Sequence, residues 1–151
     1  MNDANHQTIA DRQAAIVTEL SGIGDWQDRY RHIIQMGRAL DGFPDELRDD
    51  KHKVKGCQSQ VWLHAELRDG RMALQADSDA AIVRGLVAIL VQVFDGQPPA
   101  DVVTAPTTFI DELGLNAHLS QTRSNGLMAM IKQIKLYATV FQRMQALQGG
   151  S

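Results

Sequence analysis

The chain of 151 residues is 44% hydrophobic and 22% charged, a balance that fits one folded domain over 1–151 and excludes a disordered or fibrous chain. Its 15 Lys and Arg against 18 Asp and Glu leave a net charge of -3, so no overall basic field would hold a phosphate backbone, and no nucleic-acid partner is expected. A single cysteine excludes an internal disulfide and a multi-thiolate metal centre.

The opening MNDANHQTIADRQ has neither a basic nor a long apolar segment, so the cytoplasm is the expected compartment. Thr8 to Leu20 reads as an amphipathic helix with Ile9, Ile16, Val17 and Leu20 on one side, closed by Gly22 and Gly24. Asp25 is the expected N-cap of a second helix reaching Leu40, with Trp26, Tyr30, Ile33, Ile34 and Gly37 at helical spacing. Gly42 and Pro44 then break the chain into a loop.

Lys51 to Lys55 reads as a short strand ahead of Cys57. Gln60 to Leu67 alternates, placing Val61, Leu63, Ala65 and Leu67 on one face and Trp62, His64 and Glu66 on the other. Asp69-Gly70 predicts a two-residue hairpin turn, and Met72, Leu74 and Ala76 supply the returning strand. Ser78 or Asp79 is the expected cap of a helix that is apolar almost all round, from Ile82 to Phe94. That run is too short, and too interrupted by Arg84 and Gln92, to span a membrane. Gly96, Pro98 and Pro99 stop it, short helical pieces follow around Phe109 to Leu113, and a last long helix is predicted from about Asn125 to Leu147. Helices flanking one hairpin predict an α+β fold, a small antiparallel sheet with helices packed on one face.

Cys57 sits behind Gly56 where a loop turns into a strand. A lone thiol often fills core space as a small hydrophobe. Its polar neighbours, Lys53, Lys55, Gln58, Ser59 and Gln60, point instead to a presented, reactive group, and Lys51, Lys53 and Lys55 read either as cations that lower its pKa or as a solvated loop cluster. A hydrolase or reductase pairing Cys57 with a histidine is the alternative, with His32, His52, His64 and His118 available. No metal is expected. The polar run Thr122 to Gly126 reads equally as an N-cap turn or an anion-facing helix terminus, and Arg123 in it offers a guanidinium suited to holding a carboxylate or thiolate.

Taken together and in order, GCQSQVW at 56–62, DSDAAIVRGL at 77–86 and SNGLMAM at 124–130 resemble the SufE family of sulfur acceptor proteins, over nearly the whole chain. The resemblance implies a fold like that of the IscU scaffold proteins. It implies that Cys57 takes persulfide sulfur from a SufS-like, pyridoxal-phosphate-dependent cysteine desulfurase, stimulates that enzyme and passes sulfur to a SufBCD-like scaffold for iron–sulfur cluster assembly. The cofactor would belong to the partner, and this chain would need none. By the same resemblance Arg123, Asp77, Gly56, Gln58, Ser59 and Asn125 are expected to orient the thiol or contact the partner. The apolar Val61, Trp62 and Leu63 after the loop suggest a thiol shielded until docking.

Overall fold

Thr8 begins the first helix by capping it: its hydroxyl accepts from the Asp11 amide while the Asp11 carboxylate accepts from the Thr8 amide, a reciprocal capping box. The computed structural model describes residues 7–40 and 42–149, and the first six residues of the opening segment lie outside them. Helix α1 is Ile9–Ser21 and buries Ile9, Gln13, Ile16 and Leu20. Helix α2, Trp26–Arg38, starts at Asp25, whose carboxylate accepts from the Gln27 amide as the sequence requires.

The sheet has two antiparallel strands, β1 (Val61–Arg68) and β2 (Arg71–Ser78), in register from Val61 opposite Ser78 to Arg68 opposite Arg71. Asp69 and Gly70 join them with φ of 51° and 79°, the left-handed pair that a type I′ turn needs. The predicted third strand at Lys51 to Lys55 is reduced to one bridge, Lys53 opposite Trp62, flanked by the bonds Val54 N to Val61 O and Leu63 N to His52 O. Polar and charged residues on both sides of Val54 leave too little apolar alternation for a strand.

One sheet face, with Val61, Leu63, Ala65, Met72, Leu74 and Ala76, is buried in the core. Above it lie helix α3 (Ala81–Phe94), which packs on β2, and the long helix α7 (Gln121–Gly149), which packs on β1. Helices α4 (Pro99–Thr104), α5 (Phe109–Glu112) and α6 (Leu115–His118) fill the connection, with Pro99 at the first turn of α4, where a missing N–H costs nothing. Helices α2 and α3 cross at Gly37 and Gly85, so closely that a Cβ on Gly85 would stand 2.2 Å from the Ile33 carbonyl oxygen.

The opposite face of the hairpin is not left bare. Trp62, predicted on that side, is only 7% exposed, because the segment from Phe43 to Val54 folds over it and sets the Arg48 guanidinium 5.2 Å from its ring.

Two predicted helix starts move. Ala80, not Ser78 or Asp79, is the N-cap of α3; those two side chains instead serve the turn, Ser78 Oγ accepting from the Ala80 amide and Asp79 Oδ1 from the Gln60 amide. Helix α7 begins four residues before the predicted Asn125, since Ser120 Oγ accepts from the Arg123 amide and Ser120 O from the Ser124 amide. Among the described residues no helix is long and apolar enough to cross a membrane.

Candidate functional site

The loop carrying Cys57 is an excursion with both ends tied. The Val54 to Val61 backbone bond closes it, and its exit is held where Gln60 O accepts from Ser78 Oγ and the Asp79 amide. Gly56 turns the chain with φ of 92°, a conformation that suits glycine, and lies so near α7 that a Cβ there would meet Ala129 at 3.4 Å. The thiol is thereby set on the first turns of α7. Cys57 Sγ donates to the Gly126 carbonyl oxygen at 3.5 Å, and a Cβ on Gly126 would stand in ordinary contact with the thiol.

Around the thiol is a cavity of about 250 Å³. Its floor is apolar, from Val83 and Leu86 of α3 and Met130 of α7. Its rim is polar: Gln58 and Ser59 from the loop, Ser120, Thr122 and Arg123 from the start of α7. Among the described residues Arg123 is the only charged one in the lining, and it is exposed. Such a site combines a nucleophile, an apolar seat for a polarizable atom and one cation able to face a developing anion.

Cys57 is half-buried, and burial pushes its thiol above the ordinary value of 9.0. Lowering by the lysines does not occur. Lys51, Lys53 and Lys55 line a different cavity on the other side of the loop, and Lys53 lies 3.7 Å from Asp50.

The structure therefore brings together Cys57, Gln58, Ser59 and Arg123, with Gly56 shaping the loop beside them. It does not bring Asp77 or Asn125 into the lining. Asp77 is 5% exposed, its carboxylate held by Arg48 at 2.7 Å and Arg84 at 2.9 Å, so the surface role expected for it is replaced by a structural one. Asn125 faces outward and accepts from Gln121 Nε2. The predicted polar turn is itself helical, which places Arg123 and Gly126 on one face of α7, over the thiol.

No histidine among the described residues lines the cavity. His32 contacts Glu19, His52 contacts Asp49, His64 contacts Glu66, and His118 stacks on Trp26. Nor does any group of three or more His, Cys, Asp or Glu among the described residues form a set able to hold a metal ion.

Sequence reasoning did not find Val83, Leu86, Met130, Ser120 or Thr122 as walls of the site. One signal for the thiol's seat was present: a glycine within a long helix costs about 1 kcal/mol relative to alanine, and Gly126 is the helix residue whose carbonyl meets the thiol.

The chain is similar over residues 14–138 to the family model SufE, described as an Fe-S metabolism associated domain. It is 40% identical over 130 residues to a SufE-like protein of Rhizobium etli, covering 83% of this chain and 88% of that one. It is also 40% identical over 111 residues to the sulfur acceptor protein CsdE of Escherichia coli, covering 72% of this chain and 76% of that one. A solution structure of a hypothetical protein from Thermus thermophilus shares the fold, with a TM-score of 0.72 over 85% of this chain and 93% of that one, at 18% identity. With a sequence match that spans most of its length and a two-stranded α+β architecture around one presented cysteine, the chain belongs to the SufE family.

Proposed function

We propose that this protein accepts sulfane sulfur on Cys57 from the active-site persulfide of a pyridoxal-phosphate-dependent cysteine desulfurase, and carries it to a SufBCD-like iron–sulfur assembly scaffold in the cytoplasm. The observation that carries the reading is the lone thiol seated on Gly126 in a cavity with an apolar floor and one cationic rim residue. Membership of the SufE family, and similarity to a protein named as a sulfur acceptor, support it.

The transfer is a displacement at sulfur. Cys57 loses its proton to solvent, and its thiolate attacks the outer sulfur of the donor's persulfide. The new Cys57 S–S bond forms as the donor's S–S bond breaks, and the donor's thiolate leaves with the electron pair. No net oxidation occurs. With no second cysteine in the chain, the product cannot collapse into an internal disulfide and lose its cargo.

Burial of the thiol disfavours the thiolate at rest, which protects it from stray oxidants. Docking would supply the missing anion stabilisation, with Arg123 as the orienting cation and Gln58 and Ser59 as hydrogen-bonding rim residues. A free-standing hydrolase would need a base within reach of the thiol, and among the described residues the cavity lining holds no histidine or carboxylate.

The test is intact-mass analysis after mixing the protein with a SufS-type desulfurase and cysteine, beside Cys57→Ser and Arg123→Ala. The expected result is a gain of one sulfur on the wild type, none on Cys57→Ser, a slower gain on Arg123→Ala, and faster desulfurase turnover with the wild type only. Absence of sulfur gain with several desulfurases would sink the reading.

A further inference from the structure

A second cavity, of about 540 Å³, opens on the far side of the Cys57 loop. Lys51, Lys53 and Lys55 project from the chain leading to the thiol, and Lys132 from α7 joins them. All four are exposed. Among the described residues Asp50 is the one carboxylate in the lining, while Ala129 and Leu136 supply an apolar wall. Four of the chain's five lysines gather here, in a protein of net charge -3.

Helix α7 sharpens that segregation. Across residues 121–149 it contains no Asp or Glu at all. Its outward side carries Met128, Leu136, Val140 and Met144, 44%, 55%, 51% and 41% exposed, with Lys132 in the same row at intervals of four residues. This exposed apolar row passes through the lysine cluster at Lys132.

The two cavities share a wall. Gly56 rests against Ala129, which lines the lysine cavity, and Cys57 rests against Gly126, one turn earlier on the same helix. A body seated on the lysines therefore touches the loop that presents the thiol.

We infer that the face formed by Lys51, Lys53, Lys55 and Lys132 with Leu136 is the docking surface for an acidic segment with an adjoining apolar side chain, carried by the sulfur-donating desulfurase. This inference rests on the sulfur-acceptor reading and adds to it the chemistry of the partner's contact. A two-fold contact between copies of this chain does not suit the face, because it would bring two lysine clusters of the same sign together. A uniform phosphate array would use the lysines and leave the row from Leu136 to Met144 uncovered. An acidic segment with an apolar neighbour uses both. Rim charges of this kind mainly steer encounter and set salt dependence.

The experiment compares the wild type with the variant Lys51→Glu, Lys53→Glu, Lys55→Glu, Lys132→Glu by calorimetric titration into a SufS-type desulfurase, from about 0.05 to about 0.5 M NaCl, where screening becomes short-ranged. Sulfur gain on Cys57 is read in parallel from the desulfurase with cysteine and from glutathione persulfide, a donor too small to need the face. The expected result is a Kd weakened by roughly 10- to 100-fold in the variant, loss of the wild type's salt dependence, and unchanged sulfur gain from glutathione persulfide. Near-UV circular dichroism matching the wild type shows that the variant is folded. Wild-type affinity and salt dependence in the variant would overturn the docking surface while leaving the acceptor reading in place. So would binding of the wild type, but not the variant, to vesicles containing phosphatidylserine with desulfurase affinity unaltered in both. If the wild type neither binds a desulfurase nor gains sulfur from it, both readings fall together.

Discussion

At the scale of single residues, two side-chain facts govern the thiol: what buries Cys57, and what Gly126 lacks. Burial raises the thiol above 9.0, so alkylation by iodoacetamide should show a pH midpoint above that of a free cysteine. The same shift has a stability consequence. A raised folded-state value means that the folded protein binds the proton more tightly than the unfolded chain does, so this contribution is complete below 9.0 and is lost as pH rises through the folded value. Urea titrations of the wild type and Cys57→Ser should therefore diverge at alkaline pH, with the wild type falling faster. Gly126→Ala should separate stability from function. The new Cβ would stand 3.5 Å from Cys57 Sγ, an ordinary contact, so the helix should gain about 0.5–1 kcal/mol while sulfur acceptance slows because the methyl crowds the attacking atom. Thermal melts and the mass assay check the two signs. Equal acceptance in Gly126→Ala would show that the seat is not a functional feature.

Among the elements, the crossing of α2 and α3 sets the position of the cavity floor, since α3 carries Val83 and Leu86. The crossing depends on Gly37 and Gly85. A methyl on Gly85 would lie 2.2 Å from the Ile33 carbonyl oxygen, which is backbone and cannot swing aside as a side-chain end would. Gly85→Ala should thus lower stability by about 3 kcal/mol, the upper end for an overpacked core, as read from a denaturation midpoint. An unchanged midpoint would mean that the helices part without cost. Helix α7 is the other decisive element: it carries Gly126 beneath the thiol, Arg123 at the rim and Lys132 on the outer face.

For the molecule as a whole, Asp77 links three parts of the chain. Its buried carboxylate joins Arg48 of the segment folded over the hairpin to Arg84 of α3, and Asp77 itself stands opposite Trp62 on β1. Asp77→Asn should cost about 2 kcal/mol. That is below the figure for breaking a fully buried pair, because both guanidinia are about one third exposed and regain water. Chemical denaturation measures this, and loss of protection from proteolysis near Phe43 to Arg48 would mark where the structure opens. A variant as stable as the wild type would remove Asp77 from its structural role.

Much of this architecture was legible in the chain. Thr8 and Asp25 cap helices because a short side-chain oxygen satisfies an orphan amide of the first turn, and Asp69-Gly70 turns the hairpin because both residues accept positive φ. Cys57 as the candidate nucleophile, Arg123 as its neighbour and the α+β arrangement were readable from local pattern and family resemblance together. The rest turned on contacts between residues far apart in sequence. The lysines near Cys57 in the chain lie on the other side of its loop, so proximity in sequence gave the wrong direction for its pKa. Asp77 drew charge partners from Arg48 and Arg84, and Ser120 capped α7 a turn earlier than the apolar pattern implied. By itself the sequence determined most of the helices, the hairpin with its turn and the lone candidate thiol, which depend on dihedral preference and local periodicity. Only the tertiary structure decided what surrounds that thiol, because burial, ion pairing and the shared wall of two cavities are properties of packed surfaces brought together from distant parts of the chain.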